Sequence, residues 1–147
     1  MNSSIYEWLE ADGLGGFASG TSLHERTRRY HALLLCARKP PGDRRVLVNG
    51  VDAVVDVGDQ RLALTSQTYR LNAEGEAKMV RHEGRPVSFT FAHAPWPTWT
   101  YDLGGGRSIE HSVLVPRGSS LVVLSWRLIK NPGNAPVALS LRPFLSG

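Results

Sequence analysis

From about residue 45 onward, apolar side chains recur at every second position in short runs, and glycine, proline, asparagine and aspartate separate those runs. Few folds accept that period. Alternation builds strands with one buried and one wetted face, whereas a helix needs apolar residues three and four apart. In Val87-Ser-Phe-Thr-Phe91 three apolar residues alternate with Ser88 and Thr90, and Trp99, Tyr101 and Leu103 repeat the device against Thr98, Thr100 and Asp102. Glycines 104 to 106 then turn the chain into a run where Ile109, His111, Val113 and Val115 share a face.

Turn chemistry divides the remainder. Asn49-Gly50, between the β-branched runs 45–49 and 51–57, is the strongest hairpin signal. Gly58-Asp59 ends the second run, and strands follow at 61–66 and 69–71. Next come a polar turn through Asn72, Glu74, Gly75 and Glu76 and a new strand opening at Arg85-Pro86. After the turn at Pro116-Arg-Gly118, the run 120–130 is apolar on both faces over Leu121 to Leu124, the pattern of a covered central strand. Asn131-Pro-Gly-Asn134 then predicts a hairpin into 137–141. The expected fold is all-β: an antiparallel β-sandwich of about nine to eleven strands with few or no helices.

A chain of 147 residues, 41% hydrophobic and 20% charged, suits one domain and needs no cross-link or metal to bury a core. Cys36, the single cysteine, lies in the apolar run 33–37 and reads as a buried thiol. No window approaches the ~20 apolar residues of a membrane span, and the N-terminus lacks a basic, apolar leader, so a cytoplasmic protein without a membrane partner is expected. Arginines and lysines are scattered in pairs along the chain beside acids, so the net charge of +4 reads as a solvated basic surface rather than a nucleic-acid site. The closing residues 141–147 are still apolar, which suggests a domain of 1–147 that is itself truncated.

Three segments are candidates for contact. The first, 7–20, has glycines at 13, 15, 16 and 20. It fits neither a phosphate loop, because Thr21 follows where Lys is required, nor a dinucleotide fingerprint, whose spacing differs. Its glycines serve turns and close backbone approach, while Glu7, Trp8, Glu10 and Asp12 form an open cluster. In the second segment, 26–31, an extended backbone places Arg26, Arg28 and Tyr30 on one side and Thr27, Arg29 and His31 on the other. Such arginines suit phosphates, or carboxylates of a neighbouring domain. The third segment holds Trp96 between Pro95 and Pro97, which confines it to a loop as a plug or as a platform for a flat ligand such as a sugar.

Catalysis finds no support in the residues. Glycoside hydrolysis needs two carboxyl groups about 5 to 9.5 Å apart, and the thirteen acids sit in turns and at hairpins without an evident pair. His24, His31, His82, His93 and His111 lack metal-ligand spacing and a neighbouring nucleophile, so no metal, cofactor or catalytic residue is assigned.

Taken in order, Glu7-Trp-Leu, Gly13-Leu-Gly-Gly-Phe-Ala-Ser-Gly-Thr21, Thr27-Arg-Arg-Tyr-His31, Pro97-Thr-Trp-Thr-Tyr101 and Leu141-Arg-Pro143 resemble the N-terminal domain of the bacterial and archaeal glycogen debranching enzyme, the amylo-α-1,6-glucosidase. Ala32 departs from the small glycine usual in that family. The resemblance implies a β-super-sandwich preceding an (α/α)6 barrel that carries the catalytic acids and is absent from this sequence. It also implies a domain that docks on that barrel and helps hold an α-glucan chain. Arg26, Arg28, Arg29, Tyr30, His31, Gly15 and Gly16 are then interface candidates, and Trp8, Trp96 and Trp99 are candidates for sugar stacking. The alternatives are a free-standing carbohydrate-binding or protein-interaction module and, third, a basic nucleic-acid-binding domain.

Overall fold

Alternation carries through into the described residues, 5–70 and 78–146, of the computed structural model. Thirteen strands form among them: β1 (Glu7–Ala11), β2 (Phe17–Thr21), β3 (Ala32–Lys39), β4 (Gly42–Val57), β5 (Gln60–Ala63), β6 (Gln67–Arg70), β7 (Lys78–Arg81), β8 (Arg85–Pro86), β9 (Phe89–Ala92), β10 (Thr98–Gly104), β11 (Arg107–Leu114), β12 (Val123–Lys130) and β13 (Val137–Leu145). The single helical feature described is a three-residue 3-10 turn, Pro132–Asn134. No helix among the described residues is long and apolar enough to cross a membrane. The count exceeds the expected range because β1, β2 and β7 were not among the predicted strands and the run opening at Arg85-Pro86 divides into β8 and β9.

One sheet runs β1-β2-β3-β4-β5-β8 with β13 also paired to β4, and the other runs β12-β11-β10-β9. All pairings are antiparallel except β5 with β8. Trp8, Ala18, Leu33, Ala53, Val55 and Leu62 from the first sheet meet Trp99, Tyr101, Leu103, Ile109 and Val113 from the second in one buried cluster. That shared core makes the two sheets a sandwich. The predicted turn through residues 72–76 lies outside the described residues.

Three details correct the sequence reading. Asn49-Gly50 makes no hairpin; it lies inside the sixteen-residue β4, and Gly50 is not among the glycines at positive φ. The ladder to β13 steps from Phe144↔Gly50 to Leu145↔Val48, so Asn49 is the extra residue of a bulge. Tertiary pairing has overridden the local turn preference. The bulge frees the Asn49 side chain, whose Oδ1 accepts from Arg26 Nη1 (2.8 Å) and whose amide donates to the Ser146 hydroxyl. Asn49→Ala should therefore cost about 1 to 2 kcal/mol. Urea unfolding measures this, and an unshifted midpoint would show that the bulge needs no clamp.

Second, 131–134 turns the chain but makes no hairpin, because β12 stays with β11 while β13 crosses to β4. Gly133 (φ 77°) and Asn134 (φ 49°) reverse the backbone, and Asn131 Nδ2 donates to Ala135 O at 2.9 Å. Third, β12 begins at Val123 and ends its sheet as an edge strand. The crossing leaves Leu121 and Val123 exposed where a covered central strand was expected.

Candidate functional site

Alternation along β1 points Trp8 into the core and leaves Glu7 and Leu9 outside. Gly20, paired with Trp8, gives the indole room: a Cβ there would lie 3.2 Å from Trp8 Cζ2. Trp8 Nε1 donates to Thr21 O at 3.3 Å. Between β1 and β2, buried Asp12 organises the glycine loop, its Oδ1 accepting from the backbone N–H groups of Leu14 (2.7 Å) and Gly16 (2.9 Å). Gly15 sits at φ +100° with its Cβ position 2.6 Å from Pro41 O, and the Cβ position of Gly16 is 2.5 Å from Leu35 O. Close approach, expected toward a neighbouring domain, is thus made to the β3–β4 hairpin of the same chain.

Residues 27–31 form a turn, closed by His31 N–H donating to Arg28 O (3.2 Å) and Thr27 N–H donating to His31 Nδ1 (3.2 Å). The two-sided extended arrangement is therefore not formed, because the strand starts only at Ala32. The turn gathers two of the expected residues around Glu7. Arg28 Nε donates to Glu7 Oε1 at 2.7 Å, and His31 Nε2 lies 3.9 Å from the same oxygen. The Arg28 hydrogen bond holds the Glu7 carboxyl below its ordinary range. Desolvation lowers the His31 pKa against the opposing pull of Glu7, so the ring is neutral at pH 7. Tyr30 is 58% exposed; its carbonyl accepts from Ser19 Oγ (3.2 Å), and Arg29 Cζ lies 5.7 Å from its ring centroid. Arg26 turns away to Asn49.

Glu7, Ser19, Arg28, Tyr30 and His31 line a surface groove of about 300 Å³ with Trp8, Leu9 and Phe17 along its wall. Leu9, Phe17 and Ser19 were not singled out from the sequence; the alternation of Leu9 with Trp8 was the available signal. Of the three tryptophans proposed for sugar stacking, Trp8 and Trp99 are buried in the core at 4% and 0% exposure, while Trp96 is 40% exposed in the loop before β10, outside the groove. Near that loop His93 Nε2 lies 3.2 Å from Glu10 Oε1.

The interior holds an arrangement that sequence reading missed. Phe91, Trp99, His111 and Trp126 occupy register positions on β9, β10, β11 and β12. Their rings form a ladder across the sheet, with successive centroids 4.9, 5.2 and 4.3 Å apart. His24 stacks on Trp99 at 4.5 Å, and its Nε2 lies 2.5 Å from the Tyr101 hydroxyl. His111 Nδ1–H donates to Ser125 O at 3.0 Å. These histidines are thereby engaged in packing and hydrogen bonds. The cavity beside them is about 30 Å³, room for a water or two and not for a sugar ring.

No group of three or more metal-ligating side chains occurs among the described residues. Asp52 and Glu83 converge, but on Arg142, whose Nη2 lies 2.5 Å from Asp52 Oδ2 and 2.8 Å from Glu83 Oε1. That guanidinium occupies the space between the two carboxylates and clamps β13 to β4.

No curated protein and no solved structure matches the chain. A family described as Glycogen debranching enzyme N terminal matches residues 6–147, which is almost the whole sequence. With an all-β sandwich and the Gly-rich and Thr-Arg-Arg-Tyr-His segments inside that match, the chain belongs to the family of glycogen debranching enzyme N-terminal domains.

Proposed function

We propose that this chain is the non-catalytic N-terminal part of a cytoplasmic glycogen-debranching α-1,6-glucosidase, packing on the catalytic barrel and holding α-glucan in the groove beside Tyr30. The exposed Tyr30 ring next to the Glu7–Arg28 ion pair carries the reading. A sugar presents apolar C–H faces that stack on such a ring and hydroxyls that exchange hydrogen bonds with a carboxylate and a guanidinium. A second groove, of about 330 Å³ along Ser88, Thr90, Thr100 and Asp102, offers hydroxyls but no exposed ring. The barrel contact is supported by family membership.

Titration with maltooligosaccharides, followed by tryptophan fluorescence, tests the groove because Trp8 lines it. The wild-type chain should respond at millimolar sugar, and Tyr30→Ala should weaken binding about tenfold, the loss of one stacking platform. Absence of any response in the wild type, or an unaltered titration in the variant, would remove the glucan assignment.

A further inference from the structure

Four cations and a single acid fall within the eight residues 38–45 at the β3–β4 hairpin. Gly15 brings the glycine loop against Pro41 at the tip of the β3–β4 hairpin, and Gly118 N–H donates to Asp12 O at 2.7 Å from the other side of that loop. The same loop therefore contacts the hairpin that carries Arg38, Lys39, Arg44 and Arg45 and the turn that carries Arg117, and all five cations are exposed. Asp43 is the one acid on the hairpin tip, while Asp12 beneath it is buried and engaged with backbone N–H groups. Five cations against one acid leave an excess of four, equal to the +4 of the whole chain, so the remaining charges balance.

From this geometry we infer that the β3–β4 tip is an insertion element for a concave, carboxylate-rich protein surface. Strand alternation distributes the cations over both faces of the ribbon. Arg38 and Arg45 flank Asp43 at 3.7 and 3.9 Å, and Arg44, opposite Ala37, points the other way with Lys39. A two-faced cationic ribbon is matched by a cleft, not by a flat surface. Lys39, Arg44 and Arg117 have no ion-pair partner among the described residues, so their charge is available. Four of the five cations are arginines, whose planar fork engages carboxylates bidentately. The glycine loop, fixed by Asp12, braces the ribbon from below and limits the entropy lost on docking. A nucleic acid fits less well. Duplex binding of ordinary strength draws on about six to ten phosphate contacts, more than five cations supply. The tip also has no aromatic ring to stack on an unpaired base.

The inference is independent of the sugar groove, and its test keeps the two apart. The probes are a fluorescein-labelled oligoglutamate peptide and a labelled duplex oligonucleotide of equal charge, followed by anisotropy with the 147-residue chain. Oligoglutamate should bind in a salt-sensitive manner, and the double variant Lys39→Glu with Arg44→Glu should bind it about tenfold more weakly or worse. The double variant Arg85→Glu with Arg127→Glu has the same net charge and should bind as the wild type does; all three proteins should give the same maltooligosaccharide titration. The inference is overturned if the wild type fails to bind oligoglutamate, if both double variants lose binding equally, or if the duplex binds more tightly than the peptide.

Discussion

Trp99→Ala should lower the stability of the domain by about 4 kcal/mol, the cost typical of deleting a fully buried indole. Trp99 is 0% exposed, and it joins the two sheets: its ring meets Trp8 edge-on at 5.8 Å, stacks on His24 and sits in the ladder between Phe91 and His111. Its Nε1–H donates to Ser22 O at 2.7 Å, across 77 residues of sequence. Alanine would open a cavity and leave that buried carbonyl unpaired. Trp99→Phe retains much of the ring packing and loses mainly the hydrogen bond, so it should cost about 1 to 2 kcal/mol. Urea unfolding followed by far-UV circular dichroism separates the two variants. A loss below about 1 kcal/mol for alanine would mean that the sheets are not held together at this column.

The second large effect is acid lability. His111, buried at 1% exposure, has its pKa pushed down to about 4 by desolvation, with the Ser125 hydrogen bond pulling the other way. His24 goes down to about 3, first through desolvation and then through repulsion from His111. A folded-state pKa below the ordinary 6.5 means that the unfolded chain takes up protons first. The stability these rings contribute is therefore complete above pH 6.5 and is lost as the pH falls from 6.5 toward 4. Each ring adds a slope of about 1.4 kcal/mol per pH unit in that window. Between pH 6.5 and 5, His111 alone should remove about 2 kcal/mol. His111→Phe keeps a stacked ring while deleting the titration, so its stability should be lower at pH 7 but flatter with pH. Parallel profiles for wild type and variant would show that His111 is not held neutral.

Strand positions were legible wherever one face is buried and the other wet. Trp99, Tyr101 and Leu103 are buried as their alternation with Thr98, Thr100 and Asp102 required, and Ile109, His111 and Val113 likewise. Legibility failed where a distant strand decided the outcome. Asn49-Gly50 would turn in isolation, but nine residues of β13 pair along β4 and hold it extended. Nothing local to Leu121–Leu124 reveals that β13 crosses to the opposite sheet and leaves β12 at an edge.

The candidate groove was legible in its residue types and not in its shape. Arg28, Tyr30 and His31 stood out, but the turn that aims Arg28 and His31 at Glu7 is closed by the His31 ring, whose role only the tertiary structure reveals. Gly15 and Gly16 signalled close backbone approach, and the contact lies within the chain. The basic tip escaped notice because charge was weighed over the whole chain, although four of its cations lie within residues 38–45, and only the Gly15–Pro41 and Asp12–Gly118 contacts link the segment of Arg117 to the hairpin.

Amide chemical shifts of the isotope-labelled chain, recorded with a branched α-glucan and with the sugar signals followed in the same sample, test most directly that this domain binds glucan without cleaving it. The account predicts perturbations confined to residues around Glu7, Leu9, Phe17, Ser19 and Arg28–His31, with no free glucose released. Release of glucose, or shifts centred on the Trp96 loop or elsewhere outside the groove, would contradict it.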